Sequence, residues 1–196
     1  EMSEEELWEH SLSEDLVDRA DSLMELAHRA RNSEEWKSAK NLYGSALDLF
    51  VELDREADAG IANYSFGYCQ YRLQEYDEAI ESLTASLKRG QDFNDSRIIA
   101  YSAGPLGDSY SALGRRGEAI AAYQLAVDTF VEMEEFYQGG NNCLSLGELH
   151  GVEARQTKAL ECFIRAFNIF QSGGDAYGSA RSKDRMASAL IELGDF

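Results

Sequence analysis

An internal repeat of forty residues constrains this chain more than any other feature. At an offset of 40, four alanines fall into one column: Ala39, Ala79, Ala119 and Ala159. Twelve positions upstream runs a second small-residue column, Ala27, Gly67, Gly107, Gly147 and Ala187. A large apolar residue precedes each of these: Leu26, Phe66, Leu106, Leu146 and Met186. Four residues after each alanine stands Tyr43, Leu83, Tyr123 or Phe163, and three further on Ala46, Ser86, Ala126 or Ala166. Spacings of three and four place column members on one face of a helix. Small residues let two helices approach, and large ones fill the space beside them.

Turn signals separate the two column series at Leu73-Gln74-Glu75-Tyr76, Leu113-Gly114-Arg115-Arg116 and Leu193-Gly194-Asp195-Phe196. Each repeat therefore reads as a helix, a short turn and a second helix. First helices are predicted near 14–32, 57–73, 96–113, 137–153 and 177–193, and second helices near 35–53, 76–90, 116–133 and 156–172. Neither helix of a pair can bury its apolar face alone, so neighbouring pairs must stack. The register gives one all-α domain over 1–196: a capping segment 1–12, repeats over 13–53, 54–93, 94–133 and 134–173, and a half repeat over 174–196. Two capping signals, Ser3-x-x-Glu6 and Ser11-x-x-Glu14, predict a short extra helix near 3–10. The closing Leu193-Gly194-Asp195-Phe196 is a turn with no second helix after it. It predicts a fragment of a longer protein whose last helix acts as a makeshift cap; a natural ending there is the alternative.

The best single match among the repeats is Leu106-Gly107-Asp108-Ser109-Tyr110, then Leu113-Gly114, then Ala119, Tyr123 and Ala126. In these residues the chain resembles the tetratricopeptide repeat family, and the resemblance spans nearly its whole length. The usual repeat has about 34 residues, so the longer one is similar to those of Pins-type polarity adaptors, kinesin light chains and bacterial peptide-sensing regulators. The resemblance implies a right-handed superhelical solenoid of about four and a half repeats.

Charge and composition exclude several functions. The chain carries 36 acidic and 18 basic residues, a net charge of −18. Such a surface repels phosphate backbones and anionic lipid, so neither nucleic acid nor a membrane is expected as partner. No stretch has the length and apolarity of a membrane span. Cys69, Cys143 and Cys162 are odd in number and unpatterned in spacing, which fits neither a disulfide framework nor a zinc site and points to a reducing, cytoplasmic setting. The three histidines, His10, His28 and His150, have no nucleophile or carboxylate pattern beside them, and His150 in the column of Tyr110 is expected to pack between helices. Gly139-Gly140 and Gly173-Gly174 read as turn residues between helices, not as a phosphate cradle. No catalytic residue, metal or cofactor is expected. Residues 1–36 hold 12 acids and 3 bases, read as a solubilising cap or as a docking strip for a basic partner.

In stacked helix pairs the first helices line the inner surface, where a partner segment lies. The positions predicted to face that groove are Asp21, Met24, His28 and Arg31 in the first repeat, and Ile61, Tyr64, Tyr68 and Tyr71 in the second. Tyr101, Gly104 and Asp108 follow in the third, and Asn141, Leu144 and Glu148 in the fourth. The cationic residues with which co-chaperone members of the family hold a terminal carboxylate are absent from the matching positions. The candidate peptide-binding set is Tyr64, Tyr68, Tyr71 and Tyr101 with Asp108, Asn141, Leu144 and Glu148. Tyrosine supplies rigid contact area and a hydroxyl, and the acids favour a basic or amphipathic segment. Gly104-Pro105 predicts either a kink with a pocket beside Tyr64 and Asp108, or a helix that begins at Pro105. The expected function is a non-enzymatic scaffold or adaptor that binds a peptide of another protein. A receptor for a small signalling peptide and a self-assembling scaffold are the competing readings.

Overall fold

The computed structural model describes residues 2–194; Asp195 and Phe196, the end of the last expected turn, lie outside the described residues. The described residues form ten helices: α1 (Glu4–Ser11), α2 (Leu16–Asn32), α3 (Trp36–Glu52), α4 (Glu56–Arg72), α5 (Tyr76–Asp92), α6 (Ser96–Ala112), α7 (Arg116–Glu132), α8 (Phe136–Val152), α9 (Gln156–Ser172) and α10 (Ala176–Leu193). They divide into two compact units, Glu1–Ser109 and Tyr110–Phe196. The expected helix pairs are present, with every boundary within two residues of the sequence reading.

The links are alike. From α2 onward each helix starts twenty residues after the one before, and three residues join consecutive helices. The middle one is left-handed, with φ from 53° at Asp54 and Asn94 to 72° at Gly114. After α2, the Glu35 N–H reaches back to the Ala30 carbonyl at 2.9 Å and the Glu34 N–H to Arg31 at 3.0 Å. The same two reverse bonds recur at each link up to Asp175 with Phe170 and Gly174 with Gln171. They satisfy carbonyls that the helix end leaves open. The third link residue is also the N-cap of the next helix, and at two of the links it is an arginine that lies over an aromatic ring five residues back. Arg55 sits 4.8 Å above Phe50, and Arg115 sits 4.6 Å above Tyr110.

In the first unit α1 packs on α2, and α2 to α5 pack in sequence. The capping box at Ser3 is formed: its hydroxyl accepts the Glu6 N–H at 3.2 Å, and the Glu6 carboxylate accepts the Ser3 N–H at 2.7 Å. The second expected box is not. Ser11 ends α1 as a buried residue whose hydroxyl donates to the Trp8 carbonyl at 2.7 Å, and Asp15 caps α2 through the Val17 N–H at 2.9 Å. The column alanines Ala27 and Ala39 join Tyr43 and Cys69 in one core cluster. Removing a side chain of Leu or Phe size from water contributes about 1.5–3 kcal/mol, and Tyr43, Phe50 and Leu83 have essentially no exposed surface. Gly67 lets α4 approach α5: a Cβ there would stand 2.8 Å from Leu83 Cγ. Ser86 replaces alanine in its column and uses its hydroxyl, donating to the Gly60 carbonyl and accepting from Ser102, both at 2.9 Å.

The second unit repeats the plan with α7, α8, α9 and α10. Its main cluster gathers Val127, Cys143, Ala159, Phe163 and Phe170. Gly139 and Gly140 are not in a link as expected: both are buried inside α8, and a Cβ on Gly140 would lie 2.5 Å from the Phe170 ring. Gly173 and Gly174 do lie in a link. His150 packs between helices at 5% exposure, with Nδ1 3.9 Å from Glu153. On α10 the column loosens, with Met186 half-buried and Ala187 exposed, where no second helix packs over it among the described residues. All three cysteines are free thiols.

Candidate functional site

The first unit carries the aromatic residues the sequence singles out, and the structure brings them into ring contact. Tyr64, Tyr68 and Tyr71 are spaced i, i+4, i+7 on α4 and form one stripe. Ring centroids are 6.1 Å apart between Tyr64 and Tyr68 and 6.0 Å apart between Tyr68 and Tyr71. Tyr101 of α6 meets Tyr64 at 5.9 Å. Two rings the sequence reading left out extend the array. Trp36, the first residue of α3, stands edge-on to Tyr68 at 5.9 Å, and Tyr76, the first residue of α5, lies 6.4 Å from Tyr71. These separations and tilts suit the aromatic quadrupole. Every ring in the array is half-buried, so each offers one side to solvent. Trp36 and Tyr76 are forty residues apart, and that column was the signal that could have found them.

Polar groups hold the array at its margins. The Arg72 guanidinium lies 4.0 Å over the Trp36 ring and donates to the Tyr68 hydroxyl at 3.3 Å. The Tyr71 hydroxyl donates to the Asp108 carboxylate; burial first and then that carboxylate push its phenol well above the ordinary range. Burial does the same to Tyr64. Both are therefore neutral phenols at physiological pH. Burial and the neighbouring Arg31 push the His28 imidazole below its ordinary value, with the Tyr43 ring 5.6 Å away.

Beside Tyr64 and Tyr101 opens a cavity of about 300 Å³, bounded by Arg31 of α2, Ile61 of α4 and Ile98 of α6. Asp95 and Arg97 complete it at the start of α6. The Asp95 carboxylate is occupied as a helix cap, accepting the N–H groups of Arg97 at 2.9 Å and Ile98 at 3.1 Å. This cavity is not at Gly104, the place where the sequence predicts a pocket. Gly104 is buried, and the cavity lies toward the N-terminal end of α6. Nor does α6 begin at Pro105: it runs unbroken from Ser96 to Ala112, and the Ser109 hydroxyl donates to the Pro105 carbonyl at 2.8 Å.

The second unit treats its predicted site residues differently. Leu144 is a correction: at 2% exposure it belongs to the core cluster with Phe163 and Phe170, and it presents no surface to a ligand. Asn141 donates to the Tyr137 carbonyl and accepts from Arg181, both at 2.9 Å. Glu148 is exposed but pairs with Arg185 at 2.9 Å. Among the described residues no group of three or more His, Cys, Asp or Glu could hold a metal ion, and no helix is long and apolar enough to cross a membrane.

Comparison with known proteins agrees with this architecture. A family model described as tetratricopeptide repeat matches residues 106–129. No curated protein matches the chain. Among solved structures, the apo form of RapI is similar over 95% of this chain and 73% of its own, at 19% identity and a TM-score of 0.80. A putative kinesin light chain with nearly identical repeats from Podosopora anserina is similar over 93% of this chain and 90% of its own, at 17% identity and a TM-score of 0.74. A Rap protein complexed with Competence and Sporulation Factor is similar over 93% of this chain, at 18% identity and a TM-score of 0.70. This chain spans only 56% of that one. The fold is thus an all-α solenoid of tetratricopeptide-type helix pairs.

Proposed function

We propose that this chain is a non-enzymatic interaction scaffold that holds a short amphipathic segment of a partner protein on the aromatic face of its first unit. The observation that carries this reading is the array of half-buried rings from Trp36 through Tyr68, Tyr64 and Tyr101, with a cavity at its edge. Half-buried tyrosine and tryptophan offer large contact area at little entropic cost, which is the make-up of binding hot spots. The steering role expected of Asp108 and Glu148 toward a basic segment loses support, because one carboxylate accepts from Tyr71 and the other pairs with Arg185. The ligand is therefore read as amphipathic, with its apolar side against the rings.

A receptor for a small signalling peptide is the second reading. It draws on the likeness in fold to a Rap protein complexed with Competence and Sporulation Factor. One experiment tests both. Short random peptides are selected on the immobilised chain and on a Tyr64→Ala, Tyr68→Ala, Tyr101→Ala variant with an unchanged helical circular dichroism spectrum. Recovery of peptides with a shared apolar pattern by the wild type alone supports the face as the site. Equal recovery by the variant overturns it.

A further inference from the structure

Four half-buried cations of the first unit are neutralised by carboxylates. Arg29 pairs with Glu25 at 3.0 Å, Lys40 with Glu75 at 2.7 Å, Arg55 with Asp21 and Asp58 at 2.8 Å, and Arg89 with Glu56 at 3.0 Å. Arg31 breaks the pattern. It is half-buried against the cavity, yet its guanidinium makes no hydrogen bond or ion pair among the described residues. Arg97, an exposed residue on the same cavity, also has no hydrogen bond or ion pair on its guanidinium among the described residues. In a chain of net charge −18, acids are plentiful, so a half-buried guanidinium left without a partner is a marked departure, and Arg97 adds a second positive charge to the same cavity. A half-buried charge without a partner is costly to the folded chain.

We infer that Arg31 and Arg97 form the recognition site for an acidic side chain, an Asp or Glu inside the bound segment, with an apolar neighbour beside it. This rests on the scaffold reading above and names the chemistry of its ligand. Guanidinium groups match a carboxylate with paired, charge-assisted hydrogen bonds. The remaining walls, Ile61, Ile98 and the rings of Tyr64 and Tyr101, take the apolar neighbour and exclude water, which strengthens the ionic contact. Asp95 stands on the same cavity as a fixed negative charge. It opposes a dianion more than a monoanion, so the ligand is a carboxylate and not a phosphate group.

The test uses short random peptides displayed with both ends fused, so that no terminal carboxylate is free. They are selected on the full chain and on Arg31→Gln/Arg97→Gln. The wild type should enrich Asp or Glu next to an aliphatic or aromatic residue, and the double variant should keep the apolar preference and lose the acidic one. A selected peptide made singly should bind the double variant about tenfold or more weakly, with Arg31→Lys falling between. A wild-type pool lacking acids, or rich in Lys and Arg, overturns the inference and leaves the scaffold reading standing. Acidic enrichment that survives the double variant moves the site elsewhere. Tighter binding of a peptide whose Glu is replaced by phosphoserine overturns the choice of carboxylate. No enriched peptides at all remove both readings. The thermal midpoint of Arg31→Gln should equal or exceed that of the wild type, since the variant removes an unpartnered half-buried charge; a clear fall in its midpoint would make Arg31 a structural residue and overturn the assignment.

Discussion

The guanidinium of Arg72 lies 4.0 Å above the indole of Trp36. The end of α4 is thereby clamped to the start of α3, and a cation over an indole contributes about 0.5–1 kcal/mol at a partly exposed site. The chain has two tryptophans, Trp8 and Trp36, so Trp8→Phe leaves Trp36 as sole reporter of the aromatic face. In that background Arg72→Gln should shift Trp36 emission to the red and lower the thermal midpoint slightly. Addition of a selected peptide should change the same emission. An Arg72→Gln spectrum identical to its parent would show that the stacked pair does not persist in solution.

Ala154 occupies a left-handed backbone position, at φ 56°, that Gly114 and Gly174 fill elsewhere at 72° and 69°. A Cβ in that region costs roughly 1–2 kcal/mol, partly offset by the greater unfolded-state freedom of glycine. Ala154→Gly should therefore stabilise the second unit by about 0.5–1 kcal/mol, read as a higher urea midpoint at unchanged slope. Gly114→Ala should move the midpoint the other way. Opposite signs from both substitutions would contradict the link geometry.

Gly147 marks a close approach of α8 to α9. A Cβ there would sit 2.5 Å from Phe163 Cε1, and Phe163 is itself buried. Gly147→Ala should cost about 1–3 kcal/mol by overpacking. Phe163→Leu alone should also destabilise, but the double variant should cost less than the sum. Simple additivity in a double-mutant cycle would show that the two residues do not meet.

Burial pushes the Tyr43 phenol from 10.0 up to about 12, and burial raises Tyr64 and Tyr71 as well. An acid whose folded pKa is raised keeps its proton in the folded state after the unfolded chain has lost it. Its stabilising contribution is whole below pH 10 and declines from there through the folded value near 12. The part of the tyrosinate absorbance near 295 nm that Tyr43→Phe removes should therefore appear together with helix loss in alkali, and Tyr43→Phe should lose less stability above pH 10 than the wild type. That part appearing while helix content is unchanged would refute the assignment.

The columns were legible because they are fixed by contact between helices. Ala39, Ala79, Ala119 and Ala159 all have 0% exposure, so a larger side chain there would have to displace its neighbours. The links were legible where glycine marks the left-handed residue, as at Gly114 and Gly174. They were silent at Glu34, Asp54, Glu134 and Ala154, which reach the same φ because the reverse hydrogen bonds impose it. In the candidate site, helical spacing alone aligned Tyr64, Tyr68 and Tyr71. Leu144 has the same spacing, but depth decides whether a leucine lines a groove or fills a core, and a one-dimensional pattern carries no depth. Arg97 escaped notice because it lies a turn before Tyr101, at the start of α6, and faces Arg31 only once α2, α4 and α6 are folded together.

The three-residue links leave this chain no slack. Each link residue is committed, since the second closes one helix and the third both completes that closure and opens the next helix. One added residue would break the paired reverse bonds or turn the following helix by about 100°, carrying its small-residue stripe off its neighbour. Changes of length are therefore tolerated only in whole helix pairs. The forty-residue module is thus the unit whose addition or removal keeps the ends in phase, whereas a single insertion or deletion puts every later helix out of register.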